Sequence, residues 1–313
     1  MTFSRALAAA FATTAVLLAS APAAPAVTGS PLPGSQLLVP QHNTAREAAD
    51  RMRRSSPQDA ALLDRIARQP VAMWVSGQHA REASHRAAVH ARSSGRIPVL
   101  VVYEIPKRDC QEGGARSSAE YRRYITQMAA GLGRQPAAII LEPDALPAMD
   151  CLNPAQRAQR TSLMKWAVRH FNATTRAAVY IDAGNPIWKR PATMTPRLIA
   201  AGVREARGFS VNVSNFVQTD RSAAFARDLA GRIGGGVKAV IDTGRNGNGP
   251  GSDPCNPPGR ALGAPPTTRT GDPVVDALLW IKPPGQSDGT CNGGPAGGVF
   301  WVDYALGLAR NAS

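Results

Sequence analysis

Six apolar runs in this chain of 313 residues end in side chains able to handle protons or to hold a polar ligand. Arg108 and Asp109 follow VVYEIPK, and Glu142 and Asp144 follow AAIIL. YIDAGN carries Asp182 and Asn185, NVSN carries Asn212 and Asn215, and VIDTGR carries Asp242 and Arg245. The last, WIKPPGQSD, runs from Lys282 through Gln286 to Asp288. Any one of these Asp residues fits a helix cap or a turn. Six polar ends in succession argue instead for a cleft lined with carboxylates, amides and bases. Separated carboxylates can hydrolyse glycosides, one acid protonating the leaving oxygen while another helps a water attack. The aromatic residues Trp74, Tyr103 and Trp188 would offer flat faces to sugar rings.

Such a cleft needs elements that bring all six ends to one side. Seven β-like runs occur: VAMWV, IPVLVVYEI, AAIILEP, AAVYIDAG, GFSVNVSN, VKAVIDTG and ALLWIKPPG. They are near-continuously apolar, as parallel strands covered on both faces are. Helical stretches rich in Ala, Arg and Leu separate them, at 44–68, 79–94, 118–133, 154–172, 193–206 and 220–233. The alternation predicts an α/β fold with a parallel sheet. In barrels of parallel strands, the strand carboxyl ends and the loops after them form the active face.

Other chemistries fall away. There is no Gly-x-Ser-x-Gly elbow, and His42, His79, His85, His90 and His170 lie in the lead-in or on helical stretches. GRNGNGPG (244–251) lacks the Gly-Lys-Ser/Thr of a phosphate loop and a helix directly after it. With scarce His and no Cys-x-x-Cys pair, neither a metal nor another cofactor is expected. The net charge of +14 is spread along the chain and forms no basic block interleaved with aromatics. It therefore reads as arginine-rich solvation, not a nucleic-acid site.

The first 26 residues look like a signal peptide: one charge, Arg5, then an apolar core and small residues for cleavage. No later segment is apolar for long enough to span a bilayer, so a secreted, monomeric protein is expected. Residues 27–43 read as an extended lead-in and 44–313 as a single domain. Cys110, Cys151, Cys255 and Cys291 form an even set, which in an exported protein implies disulfides. Of the three possible pairings, 110–151 with 255–291 keeps both local in sequence.

The ordered set VVYEIPKRDC, ILEPDALPAMDC, YIDAGNPIW, NVSNF, VIDTGRNGNGP, GRALGAPPTT and WIKPPGQSDGTC resembles glycoside hydrolase family 6. The resemblance runs from about Trp74 to the C-terminus. It implies a distorted, incomplete seven-stranded parallel β/α barrel that cuts β-1,4-glucan with inversion, without a covalent intermediate or a metal. By motif position, Asp144 is the general acid, and Asp109 raises its pKa and orders water. Asp288 is the candidate base, acting directly or with a water chain to Asp109 as the rival, and Arg245 and Lys282 flank it. Substrate-binding positions by the same carry-over are Trp74, Tyr103, Asp182, Asn185, Trp188, Asn215, Arg245, Lys282 and Gln286. The resemblance also implies the 110–151 and 255–291 disulfides. The short segment between Asp109 and Tyr121 implies an open cleft and internal chain cutting.

The chain departs from the family pattern at Gln286 (usually Glu), Asn185 (usually His), Pro254 (usually Trp) and Glu104 (often neutral). A lost charge-assisted bond to a sugar hydroxyl costs about 1.5–3 kcal/mol. The departures therefore predict a weaker or retargeted enzyme, with a non-catalytic glycan-binding protein as the alternative.

Overall fold

The computed structural model describes residue 1, residues 32–110 and residues 113–312. The expected signal segment falls almost wholly outside the described residues. Seven strands form one sheet in chain order: β1 (Met73–Val75), β2 (Val99–Val102), β3 (Pro136–Leu141), β4 (Arg176–Asp182), β5 (Gly208–Val211), β6 (Lys238–Asp242) and β7 (Val275–Leu279). All neighbours are parallel. The sheet curls into an open, incomplete barrel. A single bridge, Val71 to Trp280, is the point of closure among the described residues.

Among the described residues eight helices complete the βα units: α1 (Thr44–Met52), α2 (Pro57–Ala67), α3 (Ala80–Ser94), α4 (Ser118–Leu132), α5 (Pro154–Thr174), α6 (Pro191–Ala200), α7 (Thr219–Ile233) and α8 (Val302–Arg310). The expected single helix over 44–68 is two, because Ser56 precedes proline and leaves the helical region, and Pro57 opens the next helix. The helix expected over 193–206 starts at Pro191 and stops at Ala200, followed by turns through Gly202 at φ +88°. Helix α8 lies beyond the last strand and carries no strand-end residue. With α1 and α2 it buries Ala48, Leu63, Ile66 and Leu308 around Trp280, covering the seam where β7 and β1 fail to pair.

Side chains alternate across every strand. Val102, Leu141, Ile181, Phe209 and Ile241 point outward under the helices. Val101, Ile140, Tyr180 and Val240 fill the interior. Continuing that period of two to the strand ends puts Tyr103, Asp182 and Asp242 on the inward side, at the carboxyl mouth; Glu142, at φ +53°, breaks the period and places its carboxyl beside Tyr121 of α4. The lead-in is extended but not idle. Leu32 and Leu37 join the interior cluster, and Leu37 pairs beside Ile97 ahead of β2, so this segment plugs the amino end of the barrel. No helix among the described residues is long and apolar enough to cross a membrane.

Candidate active site

The loop after β3 is the most constrained part of the mouth. Glu142 and Asp144 both take left-handed backbone conformations, φ +53° and +67°, with Pro143 between them. Each costs a non-glycine residue about 1–2 kcal/mol, so neighbouring bonds must hold them there. Glu142 is fully buried, and its carboxyl accepts the backbone N–H of Ile105 (2.9 Å) and of Glu104 (3.0 Å). The backbone N–H of Asp144 donates to Asp182 Oδ2 at 2.9 Å. Gly184, at φ +70°, lets the β4 loop press on the same turn; a Cβ there would sit 2.8 Å from Pro147 Cγ.

Burial pushes the Glu142 carboxyl from its ordinary 4.5 up to about 8. An acid whose folded pKa is raised keeps its proton in the folded chain while the unfolded chain releases it. Stability therefore falls as pH rises from about 4.5 to 8. Glu142→Gln is expected to flatten the plot of unfolding free energy against pH over that window, measured by urea melts. An unchanged slope would assign the dependence to another group.

Asp144 is half-buried at the mouth. Its carboxyl is raised well above the usual carboxylate range, chiefly by burial, then by the charges of Asp182 and Asp109. Asp109 lies on the β2 loop with its side chain 54% exposed. Tyr103 Oη donates to Asp109 Oδ1 at 3.0 Å, Arg108 Nε donates to Oδ2 at 3.3 Å, and the Arg108 guanidinium stands 4.0 Å over the Tyr103 ring. Cys110 and Cys151 are bonded, tying the Asp109 loop to the Asp144 loop, and Cys255 is bonded to Cys291.

Asp288 sits on the far side. Its Oδ2 accepts from Arg245 Nη1 (2.9 Å) and from the Asn256 backbone N–H (3.1 Å), and Lys282 Nζ is 3.6 Å from Oδ1. Asn256 returns the contact, its Oδ1 accepting the Asp288 N–H at 2.8 Å. Burial lowers the Lys282 pKa, with the nearby Asp288 charge opposing. Lys282 Nζ also lies 5.8 Å from the centre of the Trp74 ring, which meets Tyr103 edge-on at 5.1 Å.

The expected substrate-binding residues divide into two groups. Trp74, Tyr103, Asn215, Lys282 and Gln286 are half-buried, and Trp188 is 40% exposed, so all six keep surface available to a ligand. Asp182, Asn185 and Arg245 are buried, and their side chains are hydrogen-bonded within the protein. Asp182 accepts from Asp144 N, Gly184 N and Ser210 Oγ, and so holds the acid's backbone. Asn185 Oδ1 accepts the N–H groups of Ile187 and Trp188 and shapes the turn that presents Trp188. Arg245 lies under Asp288, against the Phe216 ring at 4.4 Å, and donates from Nη2 to the Ser214 carbonyl. Asp242 and Asn256 were not singled out as site residues. The Asp242 motif reads as one more cleft acid, while its neighbours in space come from three strand ends.

A domain model for glycosyl hydrolases family 6 matches residues 33–312. The chain belongs to glycosyl hydrolase family 6. Endoglucanase A of Thermobispora bispora is 43% identical over 287 residues, 88% of this chain and 61% of the relative. The chain thus spans about three fifths of that relative's length. Endoglucanase 1 of Streptomyces halstedii is 39% identical over 96% of both chains. The endoglucanase Cel6 from Mycobacterium tuberculosis, solved with methyl-cellobiosyl-4-deoxy-4-thio-β-D-cellobioside, superposes with a TM-score of 0.84. It is 42% identical, over 90% of this chain and 99% of that one. Membership in family 6 accords with the parallel barrel and with acids gathered at its carboxyl mouth.

Proposed function

We propose that this chain is a secreted, endo-acting, inverting β-1,4-glucanase with Asp144 as its general acid. One observation carries the reading: Asp144 stands half-buried at the strand-end mouth, between Asp182, which accepts its backbone N–H, and exposed Asp109, and these surroundings raise its carboxyl above the usual range. Protonated Asp144 donates to the glycosidic oxygen as the bond breaks, which general acids accelerate by about 10²–10⁴-fold. A water attacks from the opposite face and loses its proton to Asp288, or along a water chain to Asp109. Both proton transfers are supplied by carboxylates, so the reading calls for no cofactor. Trp74, Trp188 and Tyr103 serve as sugar platforms, with Asn215, Lys282 and Gln286 as polar contacts. Residues 1–26 serve for export, residues 44–313 form a single catalytic domain, and the protein works as a monomer. Relatives that bear the name endoglucanase and a relative solved with a thio-linked cello-oligosaccharide support this substrate class.

The test is hydrolysis of a soluble β-1,4-glucan and of cello-oligosaccharides, with the product anomer followed by NMR. Fresh reducing ends in the α-configuration, with a rapid fall in polymer length, are expected. Reducing-end release no greater than that of Asp144→Ala overturns the reading. Saturable oligosaccharide binding without turnover would replace it with a glycan-binding role.

A further inference from the structure

Arg160 occupies a place where arginine is seldom found. It lies within α5, beneath the barrel mouth, and is 2% exposed. Its guanidinium reaches two loops at once. Nη1 donates to the Ala145 carbonyl at 2.8 Å; Nη2 donates to the carbonyls of Pro106 (3.2 Å) and Lys107 (2.5 Å). Ala145 directly follows Asp144, and Lys107 lies two residues before Asp109. Arg160 makes no salt bridge among the described residues. The Glu142 and Asp109 charges favour the guanidinium without bonding to it; a buried cation whose hydrogen bonds all go to carbonyls is still costly to desolvate, and an apolar side chain of similar volume would fill the same space at lower cost. What the guanidinium adds is a rigid fork with several donors in one plane, able to fix two separate pieces of backbone together. The Cys110–Cys151 bond joins the same two loops farther out, through the outer end of each.

We propose that Arg160 is a positioning residue, setting from beneath the mouth the separation between the loop that carries Asp109 and the loop that carries Asp144. Its catalytic consequence rests on the hydrolase reading above. The Asp109 charge can act on the Asp144 acid only while the two loops keep their spacing. A displacement of about 1 Å is enough to cost about a hundredfold in rate.

Arg160→Lys is the informative variant, because it keeps the positive charge and loses the fork. It is expected to lower kcat about ten- to a hundredfold with KM within about twofold of the parent, and to move the alkaline limb of the activity profile to lower pH. A merely structural arginine would lower Tm and leave both the limb and kcat in place, and that result overturns the proposal. A second readout needs no turnover: ¹³C titration of the Asp144 carboxyl. A lower midpoint in the variant supports the proposal, and an equal midpoint overturns it. A parent protein without Asp144-dependent turnover defeats the hydrolase reading, and the titration then decides on the positioning role by itself. If the lysine variant does not fold, Arg160→Gln, a neutral side chain two atoms shorter with a single amide, is read in the same two ways.

Discussion

Asp144→Ala is expected to lower kcat on a natural glucan by about 10²–10⁴-fold while KM changes little. A glucan leaving group departs as a poor alkoxide unless it is protonated, and among the described residues no other raised acid stands free at the mouth. Glu142 is also raised, but its oxygens are bound to backbone N–H groups beneath the turn. Asp182 is raised too, yet it is buried beneath the Asp144 backbone. An aryl cellobioside, whose phenolate leaves without help, should lose far less in the same variant. Equal losses on both substrates would remove Asp144 from the acid role. The pH dependence follows from the same group. The acid works while protonated, and its folded pKa is raised, so activity extends above the usual carboxylate range and is lost as pH rises through that folded value. Asp109→Asn removes one of the charges that raise it and should draw the alkaline limb downward.

The largest loss of stability is expected at Asp242. Its carboxylate is 2% exposed and accepts four backbone N–H groups: Ser214 (2.9 Å), Gly244 (3.0 Å), Ile281 (3.1 Å) and Lys282 (2.9 Å). These come from the ends of β5, β6 and β7, so one side chain gathers three strand ends. Burial raises its pKa, and the four donors oppose that rise. Asp242→Ala leaves the donors without a partner in a dry site. The expected cost is about 3–5 kcal/mol, or roughly 10 °C in Tm for a domain of this size. Lys282 and Arg245 sit on the displaced segments, so kcat should fall as well. A thermal melt within about 2 °C of the parent would mean that water satisfies the four groups in its place.

Much of this architecture was legible before any coordinates. Seven apolar runs between helical stretches announce a parallel sheet, because strands covered on both faces have no polar side to alternate. The polar strand ends announce the working face. Helix α8 escaped because an amphipathic segment beyond the last strand end carries no motif; its role comes from the seam it covers. The mouth residues were harder to divide. Asp109, Asp144, Asp182, Asp242 and Asp288 are the same residue type in similar turns. Burial and hydrogen bonding alone separate those that face solvent from those that clamp backbone.

The sequence by itself determined the fold class, the side of the barrel on which the acids gather, and the ordered motifs that assign the chain to its family. These follow from periodicity and local order, which are properties of neighbours along the chain. Only the tertiary structure decided that Asp182 and Asn185 hold the loops of the site, that Asp242 gathers three strands, and that Arg160 bridges two loops from below. The roles of Asp182, Asp242 and Arg160 depend on groups tens of residues apart along the chain and about 3 Å apart in space, and the energy of a hydrogen bond is set by the second separation.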